Sequence, residues 1–213
     1  MDRSAVVLAG GFSSRFSQDK ALLELDGKPL VNCVIDAVSS VVDEVILVVN
    51  TPERAKQYAK LVRTNVKFAV DSEESKGILI DALTGLKAAQ GKYCVLLPSD
   101  TPLVSRDVLE LLFELCQGKT AAVPRWPNEQ VEPLHSVYHS KSAVKAAEIA
   151  VEEGKLDLLS MIENLGGVRY VSTLVVQEFD PELKTFFKIN TPIDLKMAET
   201  LSKPKRTKAN KIR

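Results

Sequence analysis

The feature that most restricts the fold is an alternation in the first hundred residues. Segments 5–9, 45–49, 66–70 and 93–97 are short, mostly apolar and rich in β-branched residues. A strand with one solvated face alternates apolar and polar side chains, whereas a strand covered on both faces reads as a near-continuous apolar run. Helical patterns at 29–40, 53–62 and 78–89 lie between these runs. The βαβα rhythm predicts an α/β fold: a three-layer, doubly wound, mostly parallel, Rossmann-like sheet with helices on both faces and right-handed crossovers. Ligands bind such sheets just past the carboxyl ends of the strands, so the residues that follow each strand are the ones to search for chemistry.

The second half is less regular. A helix at 106–116 leads to a strand at 121–124, and a Pro-containing loop at 124–133 holds the only tryptophan, Trp126. A strand at 134–138, helices at 143–153 and 156–164, strands at 168–171 and 184–189, and a closing helix at 192–201 complete the expectation. No repeat or linker divides the chain, and 213 residues that are 45% hydrophobic support one sizeable core. We therefore expect a single domain over residues 1–202.

The charges refine this picture. The 28 basic and 28 acidic residues cancel, but six of the basic ones lie in 203–213, leaving 22 basic against 28 acidic residues in the body. An acidic body argues against a broad nucleic-acid-binding face. The basic tail has neither periodicity nor core residues and is expected to be disordered. Cys33, Cys94 and Cys116 are odd in number, widely spaced and free of any C-x-x-C pairing. Buried free thiols in a reducing compartment explain them better than disulfides or a metal site. The first apolar run is too short for a signal sequence, and no stretch approaches membrane-spanning length. The expected setting is cytoplasmic.

The strongest chemical signal follows the first strand: Leu8-Ala9-Gly10-Gly11-Phe12-Ser13-Ser14-Arg15, continuing to Asp19-Lys20. Paired glycines let the backbone turn sharply and present successive N–H groups to an anion. Ser13 and Ser14 add hydroxyl donors, and Arg15 and Lys20 add positive charge. Gly-Gly alone fits any strand-to-helix turn, but two cations at this spacing favour phosphate. The run matches neither G-x-x-x-x-G-K-[ST] nor G-x-G-x-x-G. A second signal, Pro98-Ser99-Asp100-Thr101-Pro102, places a carboxylate at another strand end, where Mg²⁺ could find a hard oxygen ligand. A helix-capping or turn role is the competing reading of Asp100. Asn50 and Asp71 also follow strands and could serve a base or ribose edge, or form turns. Asn190-Thr191-Pro192 reads as a strand end with a helix cap. His135 and His139 sit in a strand-like alternation with no third metal ligand nearby, which favours a structural role. Trp126 has a face on which a pterin or a base could stack, although ordinary packing is the commoner use of a loop tryptophan.

Taken together, Leu8-Ala9-Gly10-Gly11, Arg15, Asp19-Lys20 and Leu25-Asp26-Gly27-Lys28-Pro29-Leu30 resemble the signature of the nucleotidyltransferases that include molybdenum cofactor guanylyltransferase. Ser99-Asp100-Thr101-Pro102 resembles that family's C-D-T-P element, and Asn190-Thr191-Pro192-Ile193-Asp194-Leu195 its N-T-P-x-D-L element. The resemblance covers residues 4–201. It implies a fold of the nucleotidyltransferase type, with backbone contacts to GTP at Leu8, Ala9 and Gly10, extended to Gly11 by the glycine pair. It also implies a phosphate-reaching Lys20, guanosine contacts at Asn50 and Asp71, and Mg²⁺ held by Asp100. Arg15, Lys20 and Asp100 would carry the catalysis, and Asn190 and Thr191 would lie on the acceptor side. Ser17 stands where the family has glycine, Ser99 where it has cysteine, and Gly77-Ile78-Leu79-Ile80-Asp81 where it has G-P-L-A-G.

The reaction so implied is GMP transfer from GTP to the phosphate of molybdopterin, with release of pyrophosphate. A cofactor-delivering protein or a molybdoenzyme would be a fitting partner, and neither a membrane nor nucleic acid is expected as one. Two alternatives stay open at this point. One is a nucleotidyltransferase using another triphosphate such as CTP, or another acceptor such as a sugar phosphate. The other is a non-catalytic nucleotide- or pterin-binding protein.

Overall fold

The computed structural model describes residues 1–9, 12–13, 18–62, 65–71 and 77–203, with backbone only at 12, 13 and 18. β1 (Arg3–Leu8) is followed by two small antiparallel ladders, β2 (Phe12–Ser13) with β3 (Gln18–Asp19) and β4 (Glu24–Leu25) with β5 (Lys28–Pro29). Then come α1 (Leu30–Ser39), β6 (Glu44–Val49), α2 (Pro52–Ala59), β7 (Val66–Val70), α3 (Ile78–Ala88) and β8 (Tyr93–Pro98). The second half contains α4 (Arg106–Cys116), β9 (Ala121–Arg125), β10 (Ser136–His139), α5 (Ser140–Glu152) and α6 (Leu158–Glu163). β11 (Val168–Ser172), α7 (Thr173–Val176) and α8 (Pro192–Ser202) follow.

Seven strands form one sheet in the order β11-β9-β10-β8-β1-β6-β7. Only β10 runs against the others, pairing antiparallel with β8 and β9. The carboxyl ends of β1, β6, β7, β8, β9 and β11 therefore open on one edge. Successive strand residues point to opposite faces, and on the central strand both faces are covered. Val7, Leu47 and Leu97 pack with Val31, Val34 and Ile35 of α1 and Leu109, Leu112 and Phe113 of α4. Val6, Ile46 and Leu96 pack with Leu79 and Leu86 of α3 and Ala146, Ala147 and Ala150 of α5. This is the expected three-layer arrangement, and each large apolar side chain it buries contributes ~1.5–3 kcal/mol. Gly85 brings α3 close to the sheet: a methyl group there would overlap Val6, and would lie 2.8 Å from Val48 Cγ2.

One expectation is corrected and one helix was not anticipated. The 184–189 segment is not a strand. Lys184–Phe186 forms a 3-10 turn entered through Leu183 in the left-handed region at φ 50. The turn is pinned from both sides, since Thr185 N–H donates to Asp180 Oδ2 at 2.7 Å and Thr185 Oγ1 accepts from Ser105 N–H at 3.0 Å. The apolar run packs beneath the loop after β8 instead of joining the sheet. The short helix α7 had no advance signal, because Thr173–Val176 is β-branched-rich and reads as a continuation of β11.

At the opposite edge of the sheet, Glu44 organises a buried polar cluster. It accepts from Ser4 Oγ at 2.6 Å, Gln90 N–H at 2.6 Å and Lys67 Nζ at 2.6 Å. Burial alone would raise its pKa, but the bonds from Lys67, Ser4 and the Gln90 amide outweigh burial and hold the carboxyl below the ordinary glutamate range. A depressed folded-state pKa contributes stability that is present above the unfolded value, about 4.3, and is lost as pH falls through the folded one. Glu44→Ala is expected to cost ~1–3 kcal/mol at neutral pH by leaving buried donors unmatched. The deficit should shrink on acidification below that value, as read by chemical denaturation at two pH values. A pH-independent deficit would show that the charge of Glu44 contributes nothing.

Candidate active site

Three segments far apart in the chain meet at one ammonium group. Lys20 Nζ donates to Asp100 Oδ2 at 2.7 Å and to Asn190 Oδ1 at 2.8 Å. The side chains of Lys20 and Asp100 are only 18% and 10% exposed, so the pair is shielded from water. Asp100 follows β8 directly and does not cap the next helix, because Ser105 caps α4 through Val108 N–H. The 187–190 segment lies along the Asp100 loop, with Ile189 N–H donating to Asp100 O at 2.9 Å. α8 is held there by a small core of Leu23, Leu25, Leu30, Ile189 and Ala198. Lys188 adds a second cation, 3.9 Å from Asp100 Oδ2.

The remaining oxygen of Asp100 is informative. Oδ1 is buried and has no hydrogen-bond partner among the described residues. A desolvated anionic oxygen without a donor is costly unless something binds it. A hard oxygen of this kind suits Mg²⁺, which takes one or two carboxylates and fills its shell with water and phosphate oxygens. Among the described residues no group of three or more His, Cys, Asp or Glu could enclose a metal alone.

Lys20 is aimed by a network that sequence reasoning missed. Asp19 Oδ2 accepts from Arg54 at 2.7 Å and from the Tyr58 hydroxyl at 2.8 Å, while Oδ1 accepts from Ala21 N–H at 3.1 Å. Arg54 also donates to Asn50 Oδ1 at 2.9 Å. Tyr58 is fully buried, and burial together with the neighbouring Asp19 carboxylate pushes its hydroxyl far above the ordinary tyrosine range. The phenol is thus a fixed donor. The available signal was spacing, since Asn50, Arg54 and Tyr58 recur every four residues into α2 and so share one helix face. Because Asp19 immediately precedes Lys20, this clamp sets where the ammonium starts. Arg54→Gln is expected to lower kcat/KM for triphosphate turnover roughly tenfold, and to add nothing in a Lys20→Ala background. Additive losses in that double-variant cycle would show that Arg54 acts independently of Lys20.

The other anticipated residues fall as follows. Leu8 and Ala9 end β1 between its neighbours, Leu8 O accepting from Ser99 N–H at 3.1 Å and Ala9 N–H donating to Val48 O at 2.9 Å. Gly10, Gly11, Ser14, Arg15 and Ser17 lie outside the described residues, as do 204–213 of the tail. Asn50 follows β6 and Asp71 follows β7, on the side of β1 away from Asp100. Asp71 is buried and accepts from Thr84 Oγ1 at 3.3 Å. Its neighbour Asp81, in the first turn of α3, is pushed up to about 6, first by burial and then by the Asp71 carboxyl. Thr191 is a helix cap, its Oγ1 accepting from Asp194 N–H at 3.2 Å, while Asp194 Oδ2 accepts from Thr191 N–H at 2.8 Å. The capping box leaves Asn190, not Thr191, facing Lys20. His139 Nδ1 lies 2.8 Å from Ser142 Oγ.

Comparison with known proteins gives the family. A family model described as "MobA-like NTP transferase domain" matches residues 5–168. A Methanosarcina mazei protein named "Probable molybdenum cofactor guanylyltransferase" is 38% identical over 91% of this chain and 88% of its own length. The chain belongs to the MobA-like NTP transferase family. Within that family, the Desulfosudis oleivorans protein named "Molybdenum cofactor guanylyltransferase" is 30% identical over 94% of this chain and 96% of its own. The crystal structure of molybdopterin-guanine dinucleotide biosynthesis protein A from Archaeoglobus fulgidus superposes with a TM-score of 0.79 at 30% identity, covering 93% of this chain and 98% of that one. The fold is thus of the MobA-like nucleotidyltransferase type. Among the described residues no helix is long and apolar enough to cross a membrane.

Proposed function

We propose that this protein transfers GMP from GTP to the terminal phosphate of molybdopterin, releasing pyrophosphate and forming molybdopterin guanine dinucleotide. The observation that carries this reading is the meeting of Lys20, Asp100 and Asn190 at one partly buried point, in a chain of the MobA-like family. The attacking phosphate is already ionised near neutral pH, so no general base is needed, and catalysis is positioning plus neutralisation of charge. Lys20, released from Asp100 and Asn190 towards phosphate oxygens, would balance charge growing on the α-phosphoryl group and the leaving pyrophosphate. Arg15 and the backbone at Gly10 and Gly11 would hold the polyphosphate beside it. Asp100 would hold Mg²⁺ through its unpartnered Oδ1, and the ion would supply further charge neutralisation on the phosphates. Asn50 and Asp71 would serve the guanosine on the β6–β7 side, and Asn190 the acceptor phosphate. Residues 1–202 would form the catalytic unit, with 203–213 outside it.

The test is pyrophosphate release with Mg²⁺ and molybdopterin, comparing GTP, CTP, ATP and UTP, with Asp100→Ala as control. Release confined to GTP and lost in the control is the expected result. Release with CTP alone would overturn the base assignment and direct attention to Asp81, which replaces a family glycine beside Asp71. No release from protein that still binds triphosphate would overturn the reaction itself.

A further inference from the structure

One wall of the reaction edge has no role in the chemistry above. Trp126 and Glu132 lie on the loop between β9 and β10, and Phe186 lies on the 3-10 turn that precedes Lys188. Phe186 meets Trp126 edge to face at 5.7 Å between ring centroids and His135 at 5.4 Å. The wall is tied to the catalytic loop through His135, whose Nε2 lies 3.0 Å from Thr101 Oγ1, next to Asp100. His135 is buried in the left-handed region at φ 79, a backbone state that the surrounding structure must hold in place. Phe186 is equally fixed, because the bonds to Thr185 anchor its turn. The wall is therefore preorganised, and it begins at the catalytic carboxylate.

Its polar groups select a ligand. Glu132 Oε1 accepts from Trp126 Nε1 at 2.7 Å, while Oε2 makes no hydrogen bond among the described residues. Burial raises the Glu132 carboxyl above its ordinary range, against the opposing effects of the Trp126 donor and of Lys188. A half-desolvated carboxylate with a spare oxygen gains from a neutral ligand that offers adjacent N–H donors, and a 2-amino-4-oxopyrimidine edge has that pattern. Pterin and guanine both carry this edge. Position separates them: Glu132 lies on the β9 side of Asp100, whereas Asn50 and Asp71 lie on the β6–β7 side. Aromatic rings suit a flat heterocycle, and Lys188, 3.9 Å from Asp100 Oδ2, offers a cation for the phosphate that such an acceptor carries.

We propose that Trp126, Phe186 and Glu132 form the acceptor subsite, with the aromatic pair against the pterin ring and Glu132 accepting from its 2-amino and ring N–H groups. This rests on the guanylyltransferase reading for the identity of the acceptor. Trp126 is the only tryptophan in the chain, so it serves as a built-in reporter. Pterins absorb where indole emits, and 6-hydroxymethylpterin monophosphate is expected to quench the protein's fluorescence. GMP should not displace it. In turnover, Glu132→Gln is expected to raise the KM for molybdopterin ~10–100-fold and leave the KM for GTP within about twofold. Glutamine keeps a carbonyl for the Trp126 indole, so thermal unfolding should be little changed, and Phe186→Leu provides a second variant that tests the ring. Displacement by GMP, or a raised KM for GTP, would assign the edge to guanine and overturn the proposal. Turnover of molybdopterin without quenching, or without a KM shift in Glu132→Gln, would overturn it while the reaction stands. Quenching by the pterin without turnover would uphold the subsite and remove the reaction.

Discussion

Asp100→Ala is expected to lower the turnover number by ~10²–10³ with little change in thermal stability. The side chain caps no helix, and its backbone carbonyl keeps the bond from Ile189 whatever the side chain. Lys20 loses one acceptor but retains Asn190. What disappears is the carboxylate oxygen pair, one member holding Lys20 and the other buried without a donor among the described residues. Asp100→Asn separates charge from shape: it preserves an oxygen for Lys20 and should fall nearly as far as the alanine variant. The two variants are compared by pyrophosphate release at saturating substrates and by thermal unfolding. Near-normal turnover in either would remove Asp100 from the reaction centre.

Lys20→Ala should cost about as much, ~10²-fold or more in turnover, for a compound reason. The ammonium would no longer meet the charge that develops on the phosphates, and the Asp100 carboxylate, only 10% exposed, would lose its counter-charge. The double variant should therefore lose less than the product of the two single losses, because each residue acts partly through the other. Lys20→Arg is not expected to rescue. A planar fork cannot reproduce a compact ammonium that reaches two oxygens at 2.7 and 2.8 Å from one nitrogen. Full multiplicativity in the double variant, or recovery with arginine, would contradict the shared-centre account.

Much of this was legible in the sequence where one physical constraint acts alone. β1, β6 and β8 announce themselves because burial on both faces leaves no room for polar residues. The start of α8 follows from the Thr191-Pro192 pair, which caps and starts the helix, whereas α2, expected at 53–62, runs from Pro52 to Ala59. Readability failed where two constraints compete. The 184–189 run has strand composition, but its Thr185 and Ile189 are committed to the loops around Ser105 and Asp100. Arg54 and Tyr58 read as an ordinary polar helix face until Asp19 arrives from another part of the chain to meet them. His135 carries no sign of its left-handed backbone, because that conformation is imposed by neighbours distant in sequence. Asp71 and Asp81 became a pair only once the start of α3 was seen to lie beside the end of β7.

The contacts of Lys20 span 80 and 170 positions along the chain, and the last strand of the sheet is complete at Ser172. During synthesis every strand can thus be laid down before Asn190 leaves the ribosome. A nascent chain could own a finished scaffold and still lack a centre able to handle triphosphate. Competence arrives with the final helix, so ribosome-bound or carboxyl-terminally clipped chains would be well folded in the sheet yet chemically silent.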